Sequence, residues 1–247
     1  MKIFGLIGSS LAHSFSKKFF SDKFEKEKIY DCRYDLFPIA NASELDNLLA
    51  ANPLICGLNV TIPYKVDVLP FLTQIDDAAL KIGAVNCIAI SDNKGQKFLK
   101  GYNTDAYGFA QSLKPLLKKH HKKALIFGDG GAAKAVKFVL EQLNIQFLVV
   151  VRNPAPDAIL YSAVNAKILE EHTLLINTTP LGMLPNLNSS PQIPYQYLTP
   201  SHLAYDLVYN PDETEFLNKA KMQGAVIKNG FEMLCLQAER SWYIWNK

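Results

Sequence analysis

Short apolar runs alternate with amphipathic segments along most of this 247-residue chain. The first strand-like runs are KIFGLI, IYDCRYDLF and CGLNVTI, and each is followed by a helical segment, in turn SFSKKFFSDKFEKEK, NASELDNLLAA and DDAALKIG. GAVNCIAI and QKFLKGYN then predict two strands in succession, and DAYGFAQSLKPLLKK predicts a helix. This alternation is typical of parallel sheets that are covered by helices.

A second alternating series follows. Its strand-like runs are KALIFG, FLVVV, TLLINTT, HLAYDLV and AVI, and its helical segments are GGAAKAVKFVLEQL and EFLNKAKMQ. Prolines cluster from Pro180 to Pro200, so that stretch cannot be one helix or a central strand, and we interpret it as a long surface loop near a site. The last segment, GFEMLCLQAERSWYIW, has a helical spacing that places four residues near one face: Phe231, Leu234, Gln237 and Ala238.

The net charge of +3 is small. It does not favour a nucleic-acid surface, which usually shows a strong basic stripe, but it is compatible with small anionic ligands. The run KKHHKK at 118–123 is interpreted as the solvated end of a helix. No stretch approaches the roughly 18 apolar residues of a membrane span, and the start MKIFGLIGSS is too short an apolar run for a signal peptide. Neither nucleic acid nor a membrane is therefore expected as a partner.

The cysteines, Cys32, Cys56, Cys87 and Cys235, lie far apart and form no C-x-x-C pair. Their spacing signals neither a zinc site nor a redox dithiol, so we expect no metal. A chain of this size needs no disulfide bonds, and reduced thiols in the cytoplasm are the simplest interpretation.

The second series opens on a glycine-rich turn, in KKALIFGDGGAAKAVKF. An apolar strand runs into Gly128, Gly130 and Gly131 and then into an alanine-rich helix. Glycines let the backbone approach a pyrophosphate, and the helix N-terminus supplies free N–H groups and a positive dipole end. Ala133 stands at the third glycine position, where alanine is allowed. The order strand, turn, helix favours a dinucleotide site, although Asp129 inside the turn would be unfavourable there unless it points to solvent.

The end of the next strand bears on the choice of cofactor. An NAD site usually has an acid at this position, whereas VVVRNP has Arg152. A guanidinium suits a 2′-phosphate because it can donate two hydrogen bonds to it. NADP is therefore favoured over NAD.

The stretch NVTIPYK places Asn59, Thr61 and, two residues past a proline, Lys65 at the end of a strand. Taken alone, it is best interpreted as a surface turn, since a single lysine is usually exposed. Other polar residues also have ordinary structural explanations: Ser14 and Ser16 as helix N-caps, Asp105 as the N-cap of a helix that begins at Ala106, Asn86 as a turn residue and Gln237 as an interfacial one.

Several stretches together resemble the shikimate dehydrogenase family. They occur in the family's order and cover nearly the whole chain: IGSSLAHSFS, NVTIPYK, GAVN, GYNTDAYGF, GDGGAAKA, INTTPLGM, YDLVYNPDETEFL and NGFEMLCLQA. The resemblance implies the reversible reduction of 3-dehydroshikimate to shikimate with NADPH. It also implies two open α/β domains, a substrate-binding domain of residues 1–103 and 229–247 and a Rossmann-type NADP-binding domain of residues 104–228, with the C-terminal helix returning to the first.

The resemblance also implies residue roles. Lys65 becomes the proton donor and acceptor, paired with Asp105 as the second catalytic residue. The implied contacts with the small-molecule substrate are Ser14, Ser16, Thr61, Lys65, Asn86, Asp105, Tyr209 and Gln237. The implied cofactor contacts are Asp77, Gly128, Asp129, Gly130, Gly131, Ala132, Arg152, Asn177, Thr178, Leu207 and Gly230. A monomer and a homodimer are both compatible with the sequence.

The chain departs from the family's pattern in places. Ser9 and Ser10 stand where Asn-Pro is frequent, and Val151 replaces an asparagine often seen before the arginine. Two other functions remain open: a quinate/shikimate dehydrogenase that prefers NAD, and a non-catalytic NADP-binding regulatory protein. The absence of Lys65 or Asp105 would indicate the non-catalytic protein, and both residues are present.

Overall fold

The chain forms two compact units. A computed structural model describes residues 1–11, 14–93 and 96–247. Residues 12 and 13 of the family-like stretch IGSSLAHSFS therefore lie outside the described residues. Unit 1 comprises residues Met1–Tyr107 and Cys235–Lys247, and unit 2 comprises residues Gly108–Leu234. The chain thus passes from one unit to the other after Tyr107 and again after Leu234.

Unit 1 is built on a six-stranded sheet with the order β2-β1-β3-β5-β6-β4. The strands are β1 (Lys2–Gly8), β2 (Cys32–Pro38), β3 (Ile55–Val60), β4 (Gln74–Ile75), β5 (Cys87–Asn93) and β6 (Gln96–Tyr102). The helices of this unit are α1 (Phe15–Lys26), α2 (Leu45–Ala51) and α3 (Asp77–Ile82). Two helices have residues in both units: α4 (Thr104–Leu113) and α8 (Phe231–Trp245).

The sheet of unit 1 is mixed, whereas the pattern predicted parallel sheets. β1 runs parallel to both β2 and β3, but β5 is antiparallel to β3 and to β6. β5 ends at Asn93 and β6 begins at Gln96, and so short a connection can join only antiparallel neighbours. The two-residue strand β4 was not predicted.

Alternate residues of β1 enter two separate cores, because successive side chains of a strand point to opposite faces. Ile3 and Ile7 pack in one core with Leu45 and Leu49 of α2. The opposite core is aromatic, and its members are Phe4, Leu6, Leu11, Phe20, Phe24, Tyr34 and Ala238. α1 and α8 therefore cover one face of the sheet, and α2 covers the other.

Two tryptophans anchor the end of α8 within unit 1. The ring centroids of Trp242 and Trp245 lie 5.3 Å and 4.9 Å from that of Phe4, and Trp245 stacks on it. Trp245 Nε1 donates a hydrogen bond of 3.0 Å to the carbonyl oxygen of Ile88. Gly57 leaves room for the indole, since an added Cβ would overlap with it. These contacts hold the helix in a defined register over β3 and β5.

Unit 2 is built on a six-stranded sheet in which all strands are parallel, with the order β12-β11-β10-β7-β8-β9. The strands are β7 (Lys123–Phe127), β8 (Gln146–Val151), β9 (Ala158–Leu160), β10 (Leu174–Asn177), β11 (Leu203–Asp206) and β12 (Val226–Lys228). The helices are α5 (Gly131–Gln142), α6 (Ala166–Glu171) and α7 (Glu215–Met222). Numbered within the unit, this is the order 6-5-4-1-2-3 of a doubly wound dinucleotide-binding sheet.

Some details of unit 2 differ from the expectations. β9 was not predicted, because the strand has only three residues and follows a stretch that is rich in proline. The run 118–123 is not a helix end: α4 ends at Leu113, His121 is buried and Lys123 begins β7. The residues from Pro180 to Pro200 do form an irregular loop, although Ser190, Ile193 and Leu198 are buried.

In the part of the chain that the structure describes, no helix combines the length and the apolar character that a membrane crossing requires.

Candidate active site

Backbone hydrogen bonds fix the position of Lys65 after β3. The chain leaves the strand at Thr61, whose N–H still donates to the carbonyl oxygen of Ile7 at 3.0 Å. The turn that follows closes with a bond from Tyr64 N to Thr61 O at 3.0 Å, and the carbonyl oxygen of Lys65 itself accepts from Val85 N at 2.7 Å. Backbone hydrogen bonds at Tyr64 and at Lys65 itself therefore fix the main chain around Lys65. The side chain of Lys65 remains 16% exposed.

The ammonium group of Lys65 forms an ion pair with a buried carboxylate. Lys65 Nζ lies 2.6 Å from Asp105 Oδ2, and the side chain of Asp105 is only 4% exposed. Asp105 is not the N-cap of α4, as one explanation of the sequence had it. Asn103 takes that role, since its Oδ1 accepts from Ala106 N at 3.0 Å. The carboxylate is thus free to bind the ammonium.

Asn86 orients the other oxygen of this carboxylate. Its Nδ2 donates to Asp105 Oδ1 at 2.9 Å and lies 3.2 Å from Gln237 Oε1. Its Oδ1 accepts from Thr104 N at 2.6 Å, which sets the direction of the amide. Asn86 is buried directly before β5, so it is more than an exposed turn residue. Four residues that are distant in sequence thus form one polar cluster in unit 1: Lys65, Asn86, Asp105 and Gln237.

Two of the predicted substrate residues lie at the start of α1. Ser14 is the N-cap of α1, where its side chain accepts from Ser16 N at 3.2 Å. Both side chains are partly buried. The structural explanation of Ser14 is therefore correct, and it is compatible with a second role, because a hydroxyl has two acceptor sites and one donor.

The glycine turn of unit 2 lies between β7 and α5. Gly128 has a positive φ of 95°, which favours glycine, and its N–H donates to Val150 O at 2.9 Å. Gly130 is the N-cap of α5 with a φ of −89°, which any residue adopts. A Cβ added at Gly130 or Gly131 would meet no atom within 4 Å. The fold does not require glycine at these two positions, but a pyrophosphate at the helix N-terminus requires the space.

Asp129, inside the turn, forms an ion pair with a lysine of α5. Its Oδ1 lies 2.5 Å from the Nζ of Lys137, which is two turns further along α5. The pair is partly exposed. The positive charge of Lys137 therefore compensates the negative charge of Asp129, which was expected to be unfavourable in a turn that binds a pyrophosphate.

Arg152 occupies the first position after β8 and is exposed. Its charge acts on Tyr161: burial raises the pKa of that phenol to about 12, and the guanidinium opposes the shift. A basic group thus stands at the end of the second strand of this sheet, where dinucleotide-binding folds contact the ribose.

The ends of β10 and β11 are joined through Asp206, which the sequence reasoning missed. Asp206 accepts from Asn177 Nδ2 at 2.9 Å, from Thr214 Oγ1 at 2.6 Å and from Val208 N at 3.0 Å. Burial raises the pKa of Asp206 to about 6, and these donors oppose the shift. The sequence does contain a feature that could have indicated this role, because Asp206 is an acid at the end of an apolar strand, within YDLVYNP.

Other predicted cofactor residues lie beside these strand ends. Thr178 Oγ1 donates to Phe127 O at 2.8 Å, which ties the end of β10 to the glycine turn. Gly230 packs against the backbone of Leu207, and an added Cβ would overlap with that residue's carbonyl group. Ala132 follows the turn in the first turn of α5.

Two predicted residues belong to a different unit from the rest of their sets. Tyr209 lies in unit 2, whereas the other predicted substrate residues lie in unit 1. Asp77 lies in unit 1 as the first residue of α3 and is exposed, whereas the other predicted cofactor residues lie in unit 2.

Comparisons with known proteins agree along the whole chain. Residues 6–88 match the family model of the shikimate dehydrogenase substrate binding domain. A shikimate dehydrogenase (NADP(+)) from Clostridium beijerinckii is 38% identical over 257 residues, which cover 100% of this chain and 93% of the relative. The crystal structure of shikimate dehydrogenase 1 from Peptoclostridium difficile has a TM-score of 0.83 at 35% identity and covers 100% of this chain and 92% of that chain.

A further solved structure is that of shikimate 5-dehydrogenase from Thermus thermophilus in complex with NADP(H) and shikimate. It has a TM-score of 0.85 at 30% identity and covers 99% of this chain and 93% of that chain. Because such relatives match the full length at these identities, the chain belongs to the shikimate dehydrogenase family.

Proposed function

We propose that this protein catalyses the reversible, NADPH-dependent reduction of 3-dehydroshikimate to shikimate. The observation that carries the proposal is the ion pair between Lys65 and Asp105 inside a buried polar cluster. A partly exposed ammonium group held by a buried carboxylate is suited to give a proton to a ligand and to take it back. The non-catalytic alternative would not need this pair.

The proton step is assigned to Lys65. Reduction of the ring carbonyl leaves an oxygen that must be protonated, and Lys65 Nζ is the acid of the cluster. Asp105 holds the ammonium at 2.6 Å, and Asn86 fixes the carboxylate through its other oxygen at 2.9 Å. In the oxidation of shikimate the same groups work in reverse, and Lys65 accepts the proton of the hydroxyl.

Neutral polar side chains are proposed to recognise the rest of the substrate. Shikimate carries three hydroxyl groups and one carboxylate, and amides and hydroxyls satisfy such groups without adding a charge for each. Besides the catalytic pair, the proposed contacts are Ser14, Ser16, Thr61, Asn86, Tyr209 and Gln237.

The cofactor is proposed to bind at the turn of unit 2. NADPH, when bound, supplies the hydride for the ring carbonyl. The pyrophosphate is assigned to the open space over Gly130 and Gly131, and the 2′-phosphate is assigned to the exposed Arg152; the free space and the exposed guanidinium support these assignments. The other proposed contacts are Asp77, Gly128, Asp129, Ala132, Asn177, Thr178, Leu207 and Gly230.

The domain roles follow from these assignments. We propose that residues 1–103 and 229–247 form the substrate-binding domain and that residues 104–228 form the NADP-binding domain. The protein is proposed to act in the cytoplasm, where cysteine thiols stay reduced.

A purified-enzyme assay tests this function. Shikimate or quinate is mixed with NADP or NAD, and absorbance is followed at the band of the reduced cofactor. We expect rapid reduction of NADP with shikimate, slower reaction with quinate and a higher KM for NAD. Absence of shikimate-dependent reduction with either cofactor would contradict the proposal, and faster turnover of quinate with NAD would replace it by the alternative dehydrogenase.

A further inference from the structure

A buried serine lies behind the proposed proton donor in unit 1. Ser241 is on α8, one turn after Gln237, and is 0% exposed. Its Oγ donates to the carbonyl oxygen of Gln237 at 2.9 Å and accepts from Asn59 Nδ2 at 2.8 Å. Thr104 Oγ1 lies 3.3 Å away. One hydroxyl therefore contacts the end of β3 and the start of α4 as well as its own helix.

Thr104 lies between Ser241 and Asn86 in this cluster. Thr104 Oγ1 accepts from Asn86 Nδ2 at 3.0 Å, and Asn86 Oδ1 already accepts from Thr104 N at 2.6 Å. The hydrogen of Ser241 is used on its own helix, and the hydroxyl of Thr104 has two acceptors within reach, Asn86 Oδ1 at 3.2 Å and Ser241 Oγ at 3.3 Å. Ser241 also contacts the buried thiol of Cys87, and all these partners of Ser241 are internal.

From Thr104 the chain of hydrogen bonds leads to the proton donor. Asn86 binds both Thr104 and one oxygen of Asp105, and the other oxygen of Asp105 binds Lys65. Thr104, Asn86 and Asp105 are buried, and Lys65 is partly exposed. A continuous path of contacts therefore joins Thr104 to Lys65 through two side chains, Asn86 and Asp105.

From Asn59 the chain leads in the other direction. Asn59 Oδ1 accepts from the phenol of Tyr34 at 2.9 Å. Burial raises the pKa of Tyr34 well above its usual value, and a hydrogen bond with the Ser16 side chain opposes that shift. Ser16 is one of the proposed contacts with the substrate, so the same network contains a second proposed substrate contact besides Lys65.

We propose that Ser241 is a positioning residue for the reaction. It touches no ligand, because it is fully buried, and it acts through Thr104 and Asn59 on the Lys65–Asp105 pair. The inference rests on the proposed function of that pair. It assigns to Ser241 a task beyond filling space, because a serine that served only its own helix would need no partner in β3 and none in α4.

The test compares Ser241→Ala with a matched control, Ser112→Ala. Ser112 is also a buried helical serine that donates to the carbonyl oxygen four residues earlier, Gly108 at 2.8 Å, and has a second hydroxyl partner, Tyr205 at 2.6 Å. It lies in unit 2, outside the polar cluster. The measured quantities are kcat, the KM for shikimate and the melting temperature of each variant.

We expect both variants to lose stability, but only Ser241→Ala to lose turnover. Its kcat should fall about three- to tenfold, the loss that follows from one loosened neutral hydrogen bond. Its KM for shikimate should stay within about twofold, since no ligand contact is removed. Ser241→Thr, which keeps the hydroxyl, should regain most of the kcat. If the alanine variant does not fold, Ser241→Cys, which keeps the volume with a weaker donor, is measured instead.

A double-mutant cycle with Lys65→Ala separates positioning from a general loss of structure. If Ser241 acts through Lys65, the change Ser241→Ala should have little further effect on the residual turnover of Lys65→Ala. An unchanged kcat in Ser241→Ala, equal losses in the Ser112 control, or a full effect in the Lys65→Ala background would each overturn the inference alone. A wild-type chain without shikimate-dependent reduction of NADP would overturn the proposed function and this inference together.

Discussion

Backbone hydrogen bonds fix the position of Lys65, and its ion-pair partner, Asp105, lies in a distant segment of the chain. We predict that Lys65→Ala lowers kcat by roughly 100- to 10,000-fold, the usual contribution of a general acid. The fold and most of the shikimate affinity should persist, because the backbone bonds around residue 65 remain. The melting temperature should fall, because the buried carboxylate of Asp105 loses its ion-pair partner. Steady-state kinetics and a binding measurement check both parts.

The matched control for this prediction is Lys23→Ala. The side chain of Lys23 is 9% exposed and pairs with Glu27 and Glu239, so it is a comparably buried, ion-paired lysine in the same unit. We expect it to affect stability and to leave kcat near the wild-type value. A Lys65→Ala enzyme that turned over within a few-fold of wild type would exclude Lys65 as the proton donor.

Arg152 is predicted to select NADP. Its exposed guanidinium would meet a dianionic phosphate, and charge-assisted hydrogen bonds are worth about 1.5–3 kcal/mol. Screening by solvent and salt should keep the net effect near the lower part of that range, so Arg152→Ala should raise the KM for NADP roughly ten- to a hundredfold. The KM for NAD should change little, and NADP binding should become less sensitive to salt. Equal weakening of both cofactors would show that another group makes the selection.

At the scale of elements, two glycines are expected to behave in opposite ways. Gly57 lies under the indole of Trp245, where a Cβ would overlap with the ring. Gly57→Ala should therefore displace the end of α8 and lower the free energy of unfolding by about 1–3 kcal/mol. Chemical denaturation, followed by tryptophan fluorescence, measures the change. An unchanged unfolding midpoint would show that α8 is not held at this strand.

Gly130 lies in the strand–turn–helix element of unit 2 and has open space around it. Gly130→Ala should leave the melting temperature close to that of the wild type, because the backbone conformation suits any residue. Its Cβ would occupy the space needed by the pyrophosphate, so we expect NADP affinity to fall by roughly tenfold or more, about 1.4 kcal/mol per factor of ten. Calorimetric titration of the variant with NADP measures this affinity. If Gly130→Ala bound NADP as tightly as the wild type does, the pyrophosphate would have to bind elsewhere.

At the scale of the whole molecule, buried titratable groups make stability depend on pH. Burial lowers the pKa of His121 and of His172. Their contribution is complete above the unfolded value of about 6.5 and is lost as the pH falls through the lowered values. Asp206 acts in the opposite sense. Because its pKa is raised from 3.8 to about 6, its contribution is complete below the unfolded value and is lost as the pH rises through about 6.

The variant His121→Gln/His172→Gln isolates the histidine contribution. We predict that it loses less unfolding free energy than the wild type between about pH 7.5 and about pH 5.5, since the two groups that must be protonated in the unfolded chain are gone. Both histidines lie in unit 2, whereas both tryptophans lie in unit 1, so far-UV circular dichroism is the suitable probe. Parallel pH profiles for variant and wild type would assign the acid sensitivity to other groups.

The sequence alone determined the features that depend on neighbours along the chain. Period and residue type predicted most helices and strands, and the order strand, glycine turn, helix located the dinucleotide turn, because turn chemistry is local. It did not determine the antiparallel pairing of β5 or the ion pair between Asp105 and Lys65, because both depend on which segments meet in space. The cap of α4 is a local choice between neighbours, and here the pattern indicated Asp105 where the structure has Asn103.

Only the tertiary structure decided which polar residues act together. Asn86 and Gln237 are 151 residues apart, and Asn59 and Ser241 are 182 apart, yet each pair is within hydrogen-bonding distance. In the sequence, Tyr34, Asn59 and Ser241 look like ordinary polar positions of a strand or a helix. They are functional candidates because the packing of α8 on the sheet removes them from water, and a buried polar group must then find its partners inside the protein.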